Sequence, residues 1–222
     1  MSKNLIITLD GPAGAGKSTV AKQLAKLLGI SYLDTGAMYR AVTLKALRLK
    51  ADLENEDELE KIALQTKIDF IDDGQGGLAL TLDGQNVGDA IRSLEVTNNT
   101  FYAARAGKVR EILVGWQKAF GKARSLVGEG RDLGTVVFPD ATYKFYLDAD
   151  IEERCRRRIK ELKEQGKVFD EEQLRRDIKE RDLKDQSRAV GPLKKSSDMI
   201  IIDSTGLTVE KTALKILEFI KR

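Results

Sequence analysis

A nine-residue segment near the start of the chain has the residue types and the spacing of a phosphate-binding loop. The segment Gly11-Pro12-Ala13-Gly14-Ala15-Gly16-Lys17-Ser18-Thr19 satisfies the pattern G-x-x-x-x-G-K-[ST]. Its glycines let backbone N–H groups turn inward around a phosphate without a Cβ in the way. Lys17 adds a full positive charge at the β- and γ-phosphates, and Ser18 offers a hydroxyl to Mg²⁺. The segment predicts a site for a nucleoside triphosphate and its magnesium ion.

Sequence patterns of other P-loop classes are missing, and so is histidine. Switch GTPases carry N-K-x-D, which this chain lacks, and motor ATPases carry an apolar strand that ends in Asp-Glu. The corresponding strand here ends Val127-Gly128-Glu129-Gly130-Arg131-Asp132, with an arginine where a hydrolase places its water-handling group. The absence of histidine excludes Ser-His-Asp and Cys-His catalysis and imidazole zinc sites. These observations favour phosphoryl transfer to a small acceptor, and therefore a kinase.

An acceptor that is itself a nucleotide needs arginines around a second anion, because guanidinium groups match phosphate oxygens. Four candidates are Arg40, Arg131, Arg181 and Arg188. The residues alone leave other roles open. Arg131-Asp132 also fits a structural ion pair, and Arg181 with Asp185 fits an i,i+4 helix pair. Arg110 also fits a solvated helix face, as do the basic residues that follow Cys155.

The elements that must hold these residues alternate between short apolar runs and helical patterns, which is typical of a parallel sheet covered by helices. Five strands are predicted, at Leu5 to Leu9, Ile30 to Leu33, Ser125 to Val127, Tyr143 to Leu147 and Met199 to Asp203. The helix after the phosphate loop has its apolar face at Val20, Leu24, Leu27 and Leu28, and Gly29 ends it. The predicted fold class is α/β, an open five-stranded parallel sheet of the P-loop NTPase type.

Two stretches interrupt this alternation. From Ile68 to Val87 apolar residues alternate at Leu78, Leu80 and Leu82, and turn signals flank them at Asp72-Asp73-Gly74, Gly76-Gly77 and Asp83-Gly84. This pattern predicts a small antiparallel insertion. Residues 151–195 hold 15 Lys/Arg and 11 Asp/Glu, which predicts helices that stand partly off the body. Between the two stretches, a core stripe is expected at Val109, Ile112, Leu113, Trp116 and Phe120.

Four longer segments resemble the bacterial cytidylate kinases, a branch of the nucleoside monophosphate kinases. They are LDTGAMYRAV, GEGRDLGTVVFPDA, IKERDLKDQSRAVGPLK and the closing DSTGLT. The resemblance implies a P-loop core at residues 1–36, 108–150 and 186–222. It also implies a monophosphate-binding domain at 37–107, with its antiparallel insert at about 66–90, and a helical lid at 151–185.

The resemblance implies transfer of the γ-phosphoryl group of ATP to CMP or dCMP, with Mg²⁺ required. It places Arg40 and Arg131 at the acceptor phosphate, Thr35 beside the substrate, and Arg110 and Asp132 at the cytosine edge. It places Arg181 and Asp185 at the ribose and Arg188 at the substrate phosphate or base. Lys17, Arg40, Arg131 and Arg188 are expected to be catalytic, and Arg157 joins residues 11–19 in binding the nucleotide. Arg154 and Arg158 lie in the same lid segment, where their charge can meet the transferring phosphoryl group.

One position departs from the pattern that the family implies. Phe101 stands where a serine near the cytosine amine is expected, with Thr100 beside it. Either Thr100 takes the polar role, or base reading relies more heavily on Asp132 and Arg110. Another small-acceptor kinase, for UMP, AMP or shikimate, is the main alternative. A nucleotide-dependent regulatory module that hydrolyses its nucleotide slowly is a further one.

Composition limits the partners and the compartment. Lys+Arg 38 against Asp+Glu 35 gives a net charge of +3, which does not favour nucleic-acid binding. The apolar runs are too short to span a bilayer, and the N-terminal segment lacks the pattern of a secretory signal. The single cysteine, Cys155, excludes an internal disulfide and fits a reducing cytoplasm, with no redox role expected. We expect a cytoplasmic monomer whose substrates are ATP and CMP or dCMP.

Overall fold

The computed structural model describes residues 4–72 and 78–220, which form two compact units. The first unit contains the chain up to Leu33 and again from Arg124 onward. The second unit is Asp34–Ala123. The finer division into core, monophosphate-binding domain and lid stays a prediction.

The first unit is built on a five-stranded parallel sheet, as predicted. Its strands are β1 (Ile6–Asp10), β2 (Ser31–Asp34), β6 (Leu126–Gly130), β7 (Tyr143–Asp148) and β8 (Ile200–Asp203). Their spatial order is β2-β6-β1-β7-β8, with Leu9 beside Glu129 on one side and Phe145 on the other. All five residues of β1 are buried, and three of them, Ile6, Ile7 and Leu9, are apolar, as expected for a central parallel strand. The central strand leads directly into the phosphate loop.

Four helices belong to the first unit: α1 (Lys17–Leu28), α6 (Ile151–Glu164), α7 (Glu171–Ser187) and α8 (Val209–Ile220). The apolar faces of α1 and α8 share a core with the sheet, which includes Val20, Leu24 and Ile216. Gly29 ends α1 in the left-handed conformation with φ 64°, which confirms the predicted C-terminal cap. Leu27 is the exception in the predicted apolar face, because it is exposed.

The second unit contains α2 (Thr35–Arg48), α3 (Glu56–Leu64), α4 (Leu94–Arg105) and α5 (Gly107–Ala123). Its antiparallel sheet of β3 (Ile68–Asp72), β4 (Leu78–Leu82) and β5 (Gln85–Asn86) confirms the predicted insertion. Asp83-Gly84 joins β4 to β5 with φ of 50° and 83°, which is the geometry of a two-residue hairpin turn. The predicted turn signals at Asp72-Asp73-Gly74 and Gly76-Gly77 fall on 73–77, outside the described residues.

The buried face of α5 differs from the predicted apolar stripe. Val109 and Leu113 are buried as expected, whereas Trp116 is only half-buried. The buried line continues instead through Gln117 and Gly121. The apolar pattern misplaced the face because two long polar side chains, Arg110 and Gln117, are buried. Within the described part of the chain, no helix is long and apolar enough to cross a lipid bilayer.

Candidate active site

The phosphate loop connects β1 to α1 and relies on glycine at two points. A Cβ on Gly11 would lie 2.0 Å from the carbonyl oxygen of Leu147 in the neighbouring strand, so only glycine fits there. Gly16 precedes α1 with φ 88°, a left-handed conformation that favours glycine. The loop therefore presents its backbone N–H groups at the start of a helix, where the helix dipole favours an anion.

Lys17 is a buried residue of the phosphate loop. Its ammonium group donates a hydrogen bond to the carbonyl oxygen of Pro12 at 2.7 Å. Burial and the charge of Arg131 lower the pKa of Lys17 to about 7, against the opposing charges of Glu129 and Asp185. A phosphate placed here would stabilise the charged lysine, so this site favours an anion.

Ser18 and Glu129 form a pair of oxygen groups at the same end of the sheet. The Ser18 hydroxyl donates to Oε1 of Glu129, and the Tyr32 hydroxyl donates to the same oxygen at 3.1 Å. No group of three or more acidic, histidine or cysteine side chains that could hold a metal occurs in the described ranges. A hydroxyl and one carboxylate beside a phosphate loop suit Mg²⁺, which takes few protein ligands and completes its shell with phosphates and water. The residues present therefore fit the metal.

Sequence reasoning gave Glu129 no role, although a signal was available. The residue lies at the carboxyl end of a strand, and parallel strands bring their carboxyl ends to one edge of the sheet. Because β6 pairs with β1, an acidic residue near the end of β6 lies close to the phosphate loop.

Two helices of the first unit, α6 and α7, hold the outer part of the phosphate loop. Arg154 of α6 donates from Nη1 to Oδ2 of Asp182 at 2.5 Å and to the carbonyl oxygen of Ala13 at 3.0 Å. The backbone N–H of Ala13 donates to Oδ1 of Asp182 at 3.2 Å. Asp182 and Arg154 are both buried, and together they fix the peptide groups of Ala13. Sequence reasoning gave Asp182 no role.

The basic cluster after Cys155 separates into an inner and an outer face. Arg157 donates to the carbonyl oxygen of Ala15 at 3.1 Å and to that of Ser204 at 2.6 Å. Arg156 is 65% exposed at its side chain and pairs with Glu153, and Arg158 pairs with Glu161. Arg157, the predicted nucleotide ligand, thus lies against the phosphate loop, whereas Arg156 lies on the solvent side.

The predicted acceptor residues of the first unit form two ion pairs. Arg131 donates from Nε to Oδ2 of Asp185 at 2.6 Å, and Arg188 lies with Nη2 3.3 Å from Oδ1 of Asp132. Burial opposes the charge of Asp185, but Arg131 and Arg181 outweigh it and lower its pKa. The structure therefore joins Arg131 to Asp185, rather than to its sequence neighbour Asp132.

The predicted acceptor residues of the second unit lie around the start of α2 and on α5. Arg40 donates from Nη2 to Oδ2 of Asp34 at 2.9 Å, and Thr35 is buried beside it in sequence. Nη2 of Arg92, which sequence reasoning did not single out, lies 4.0 Å from the same oxygen of Asp34. Arg110 is 2% exposed, and its guanidinium carbon lies 5.6 Å from the centre of the Tyr39 ring. Arg110 is therefore not a solvated surface arginine.

The helix around Phe101 bears on the two hypotheses for base recognition. The Thr100 hydroxyl is buried and donates to the carbonyl oxygen of Val96 at 2.6 Å, within its own helix. The Phe101 ring lies under the guanidinium of Arg105, with 5.4 Å between the Arg105 Cζ and the ring centre. The Thr100 proton is thus donated within its own helix, whereas its oxygen can still accept a hydrogen bond from an amine, so both hypotheses stay predictions.

Comparison with known proteins gives one consistent result. A family model described as cytidylate kinase matches residues 7–222. A protein named cytidylate kinase from Desulforamulus reducens is 46% identical over 100% of this chain and 99% of its own length. Another from Pelotomaculum thermopropionicum is 47% identical over 95% of this chain and 93% of its own. The crystal structure of an uncharacterized protein from Eubacterium ventriosum shares the fold, with a TM-score of 0.51, 16% identity and coverage of 98% and 99%.

Proposed function

The chain belongs to the cytidylate kinase family, and we propose from that premise how its own residues divide between the two substrates. The enzyme is a phosphotransferase that phosphorylates CMP. This membership sets aside the hypotheses of an AMP, UMP or shikimate kinase and of a regulatory module. ATP is the phosphoryl donor, and dCMP is a second acceptor.

Residues 11–19 bind the β- and γ-phosphates of ATP. The buried ammonium of Lys17 supports this role, because its lowered pKa reflects a charge that lacks full compensation until an anion arrives. Arg157 contributes to ATP binding from α6, since it already contacts the carbonyl oxygen of Ala15 in the loop.

Ser18 and Glu129 would hold Mg²⁺, with the Ser18 hydroxyl as the direct ligand. When bound, the ion supplies positive charge to the oxygens of the transferred phosphoryl group. Glu129 orients the Ser18 hydroxyl, and Tyr32 in turn holds the Glu129 carboxylate. A carboxylate fixed by two hydroxyls retains its orientation when the nucleotide leaves.

The residues proposed to bind CMP are those that the family resemblance implies. Arg131 and Arg40 bind its phosphate, with Thr35 beside it and Arg188 close to the phosphate or base. Arg181 and Asp185 bind the ribose. Asp132 accepts a hydrogen bond from the exocyclic amine of cytosine, a donor that uracil lacks, and Arg110 reads the same edge of the base.

Phosphoryl transfer between two phosphates requires no general base, because the acceptor oxygen is already a nucleophile at neutral pH. The protein must hold two anions in line and neutralise the developing charge. The observation that carries this mechanism is the buried ammonium of Lys17 in the phosphate loop, whose pKa is lowered by burial first and by the charge of Arg131 second. Because the two cations repel each other, both gain from a phosphoryl group between them.

We expect the enzyme to act as a monomer in the cytoplasm. Cys155 is buried, and burial raises the pKa of its thiol, so it is a poor nucleophile and fits a structural role. Light scattering of the purified protein at micromolar concentration tests the monomer directly.

Separate binding measurements test the division between donor and acceptor residues. Isothermal titration with CMP and with MgADP should show that Arg131→Met weakens CMP binding while ADP binding stays within about twofold. Lys17→Ala should weaken ADP binding and leave CMP binding in the same narrow range. If both variants weaken both ligands equally, the proposed division is wrong.

A further inference from the structure

Asp10, the last residue of β1, carries a buried carboxylate that the roles above do not use. Its side chain is fully buried, and it accepts hydrogen bonds from the backbone N–H of Leu133 at 2.9 Å and of Gly134 at 2.8 Å. Each carboxylate oxygen takes one of the two bonds. These N–H groups open the π-helical turn Leu133–Val137, which begins directly after Asp132.

The turn is also fixed from its other side. A Cβ on Gly134 would lie 2.9 Å from Cε of Met199, 3.0 Å from Oγ1 of Thr8 and 3.4 Å from Oδ2 of Asp10. Glycine is therefore needed for the backbone to come this close to β1. The backbone that follows Asp132 is therefore held in one position against the central strand. The hydrogen bonds to the Asp10 carboxylate fix that position.

A charged carboxylate at this buried position costs desolvation free energy that a neutral residue would not cost. Burial raises the pKa of Asp10 to about 6, although both backbone hydrogen bonds lower it. The charged neighbours that act on it are Asp132, which raises this pKa, and Lys17, which lowers it. Only an acceptor without its own N–H satisfies two backbone donors at once, since an asparagine would direct its NH₂ group at one of them.

Asp10 has a particular place in the chain. It immediately precedes Gly11, the first residue of the phosphate loop, and its hydrogen bonds reach the residues that immediately follow Asp132. The Asp10 side chain therefore connects β1, which leads into the phosphate loop, to the backbone that carries Asp132.

We propose that Asp10 is a positioning residue that fixes Asp132 relative to the phosphate loop and thereby sets the preference for cytosine over uracil. This inference rests on the proposed role of Asp132 in reading the cytosine amine. Loss of the Asp10 hydrogen bonds lets the turn shift, so that Asp132 no longer distinguishes an amine from a carbonyl oxygen.

The test compares kcat/KM for CMP with kcat/KM for UMP, because this ratio does not depend on the fraction of protein that is folded. Asp10→Asn should lower the ratio by roughly tenfold, the effect of one lost hydrogen bond to a charged group. Its affinity for MgADP should stay within about twofold of the parent protein. A uniform loss on both acceptors with the ratio unchanged, or a loss of ADP affinity as large as the change in ratio, would overturn the proposal.

Three further variants keep the test decisive. Gly134→Ala displaces the same turn while the Asp10 carboxylate is kept, and it should lower the ratio in the same direction, even if Asp10→Asn does not fold. Thr8→Val is the matched control, because it alters the same buried strand but removes no hydrogen bond found among the described residues, and its ratio should be unchanged. Asp132→Ala separates the two proposals. If this variant keeps the ratio, the role of Asp132 is wrong; if it lowers the ratio and Asp10→Asn does not, the role of Asp10 is wrong.

Discussion

Arg131 and Asp185 are joined by a partly buried hydrogen bond of 2.6 Å between the arginine Nε and a carboxylate oxygen. Arg131 follows β6, whereas Asp185 lies 54 residues later, near the end of α7. The pair therefore holds the predicted phosphate ligand and the predicted ribose ligand together before a substrate arrives. Burial opposes the charge on Arg131, but Asp185 outweighs it, so that the pKa of the guanidinium is raised. Pre-organised cations of this kind lose little freedom when an anion binds.

Removing Arg131 should affect stability and CMP binding in separable ways. Arg131→Met leaves the Asp185 carboxylate buried without this partner, and we expect the free energy of unfolding to fall by about 3 kcal/mol. The double variant Arg131→Met/Asp185→Asn should regain most of that stability, because it no longer buries a carboxylate that has lost its Arg131 partner. CMP binding should stay weak in both variants. Urea unfolding and CMP titration measure the two effects, and full recovery of CMP affinity in the double variant would contradict the role of Arg131.

Lys17 should take up a proton when nucleotide binds. Because its pKa is lowered to about 7 in the free protein, most Lys17 side chains carry a neutral amine at pH 8. A bound diphosphate raises this pKa again, so ADP binding at pH 8 should consume most of one proton, and affinity should fall as pH rises above 7. Calorimetry in buffers of different ionisation enthalpy measures this uptake. Lys17→Arg is the control, since arginine stays protonated, and equal uptake in both proteins would contradict the assignment.

Glu129 should control the requirement for magnesium. Glu129→Gln weakens the hold on the Ser18 hydroxyl, so the Mg²⁺ concentration for half-maximal activity should rise about tenfold, as when the groups that orient metal ligands are replaced. CMP affinity measured without the metal should not change. Tyr32→Phe removes the other hydrogen bond to Glu129 and should give a smaller change in the same direction. An unchanged Mg²⁺ dependence in Glu129→Gln would count against this site.

The pair of Asp182 and Arg154 should stabilise the phosphate loop. Asp182→Asn leaves Arg154 buried without its carboxylate and weakens the bond to the Ala13 N–H, and we expect a loss of about 3 kcal/mol in the free energy of unfolding. The stabilisation gained on adding MgADP should also shrink, because the loop is no longer held in one geometry. Arg156→Gln removes a surface ion pair on α6, the helix of Arg154, and should leave the free energy of unfolding nearly unchanged. Equal losses of stability in the two variants would contradict the proposed role of Asp182 in stabilising the phosphate loop.

The sheet could be predicted from the sequence because its signals are local. Its buried parallel strands are short segments rich in apolar residues, and the end of α1 is marked by the single residue Gly29. The face of α5 was misplaced, since Gln117 is buried although its side chain is polar. Neither oxygen nor nitrogen of that amide has a hydrogen-bond partner among the described residues, so no pairing rule applied to the sequence would have placed it inside.

The phosphate loop was predictable because its chemistry lies in nine consecutive residues. The groups that support it come from distant parts of the chain: Glu129 lies 111 residues from Ser18, Leu133 lies 123 residues from Asp10, and Asp182 lies 169 residues from Ala13. No periodicity or spacing connects positions so far apart; the order of the strands brings Glu129 and Leu133 to the loop, and the placement of α7 brings Asp182.

The most direct test of the central claim is ADP release from ATP and Mg²⁺, measured with CMP, dCMP, UMP, AMP, GMP or shikimate added in turn. Lys17→Ala, shown by circular dichroism to be folded, serves as the blank and should release almost no ADP. We predict strong stimulation by CMP and dCMP and weak stimulation by UMP. If no acceptor raised the rate above that of ATP alone, or if AMP or shikimate stimulated more than CMP, the account would be contradicted.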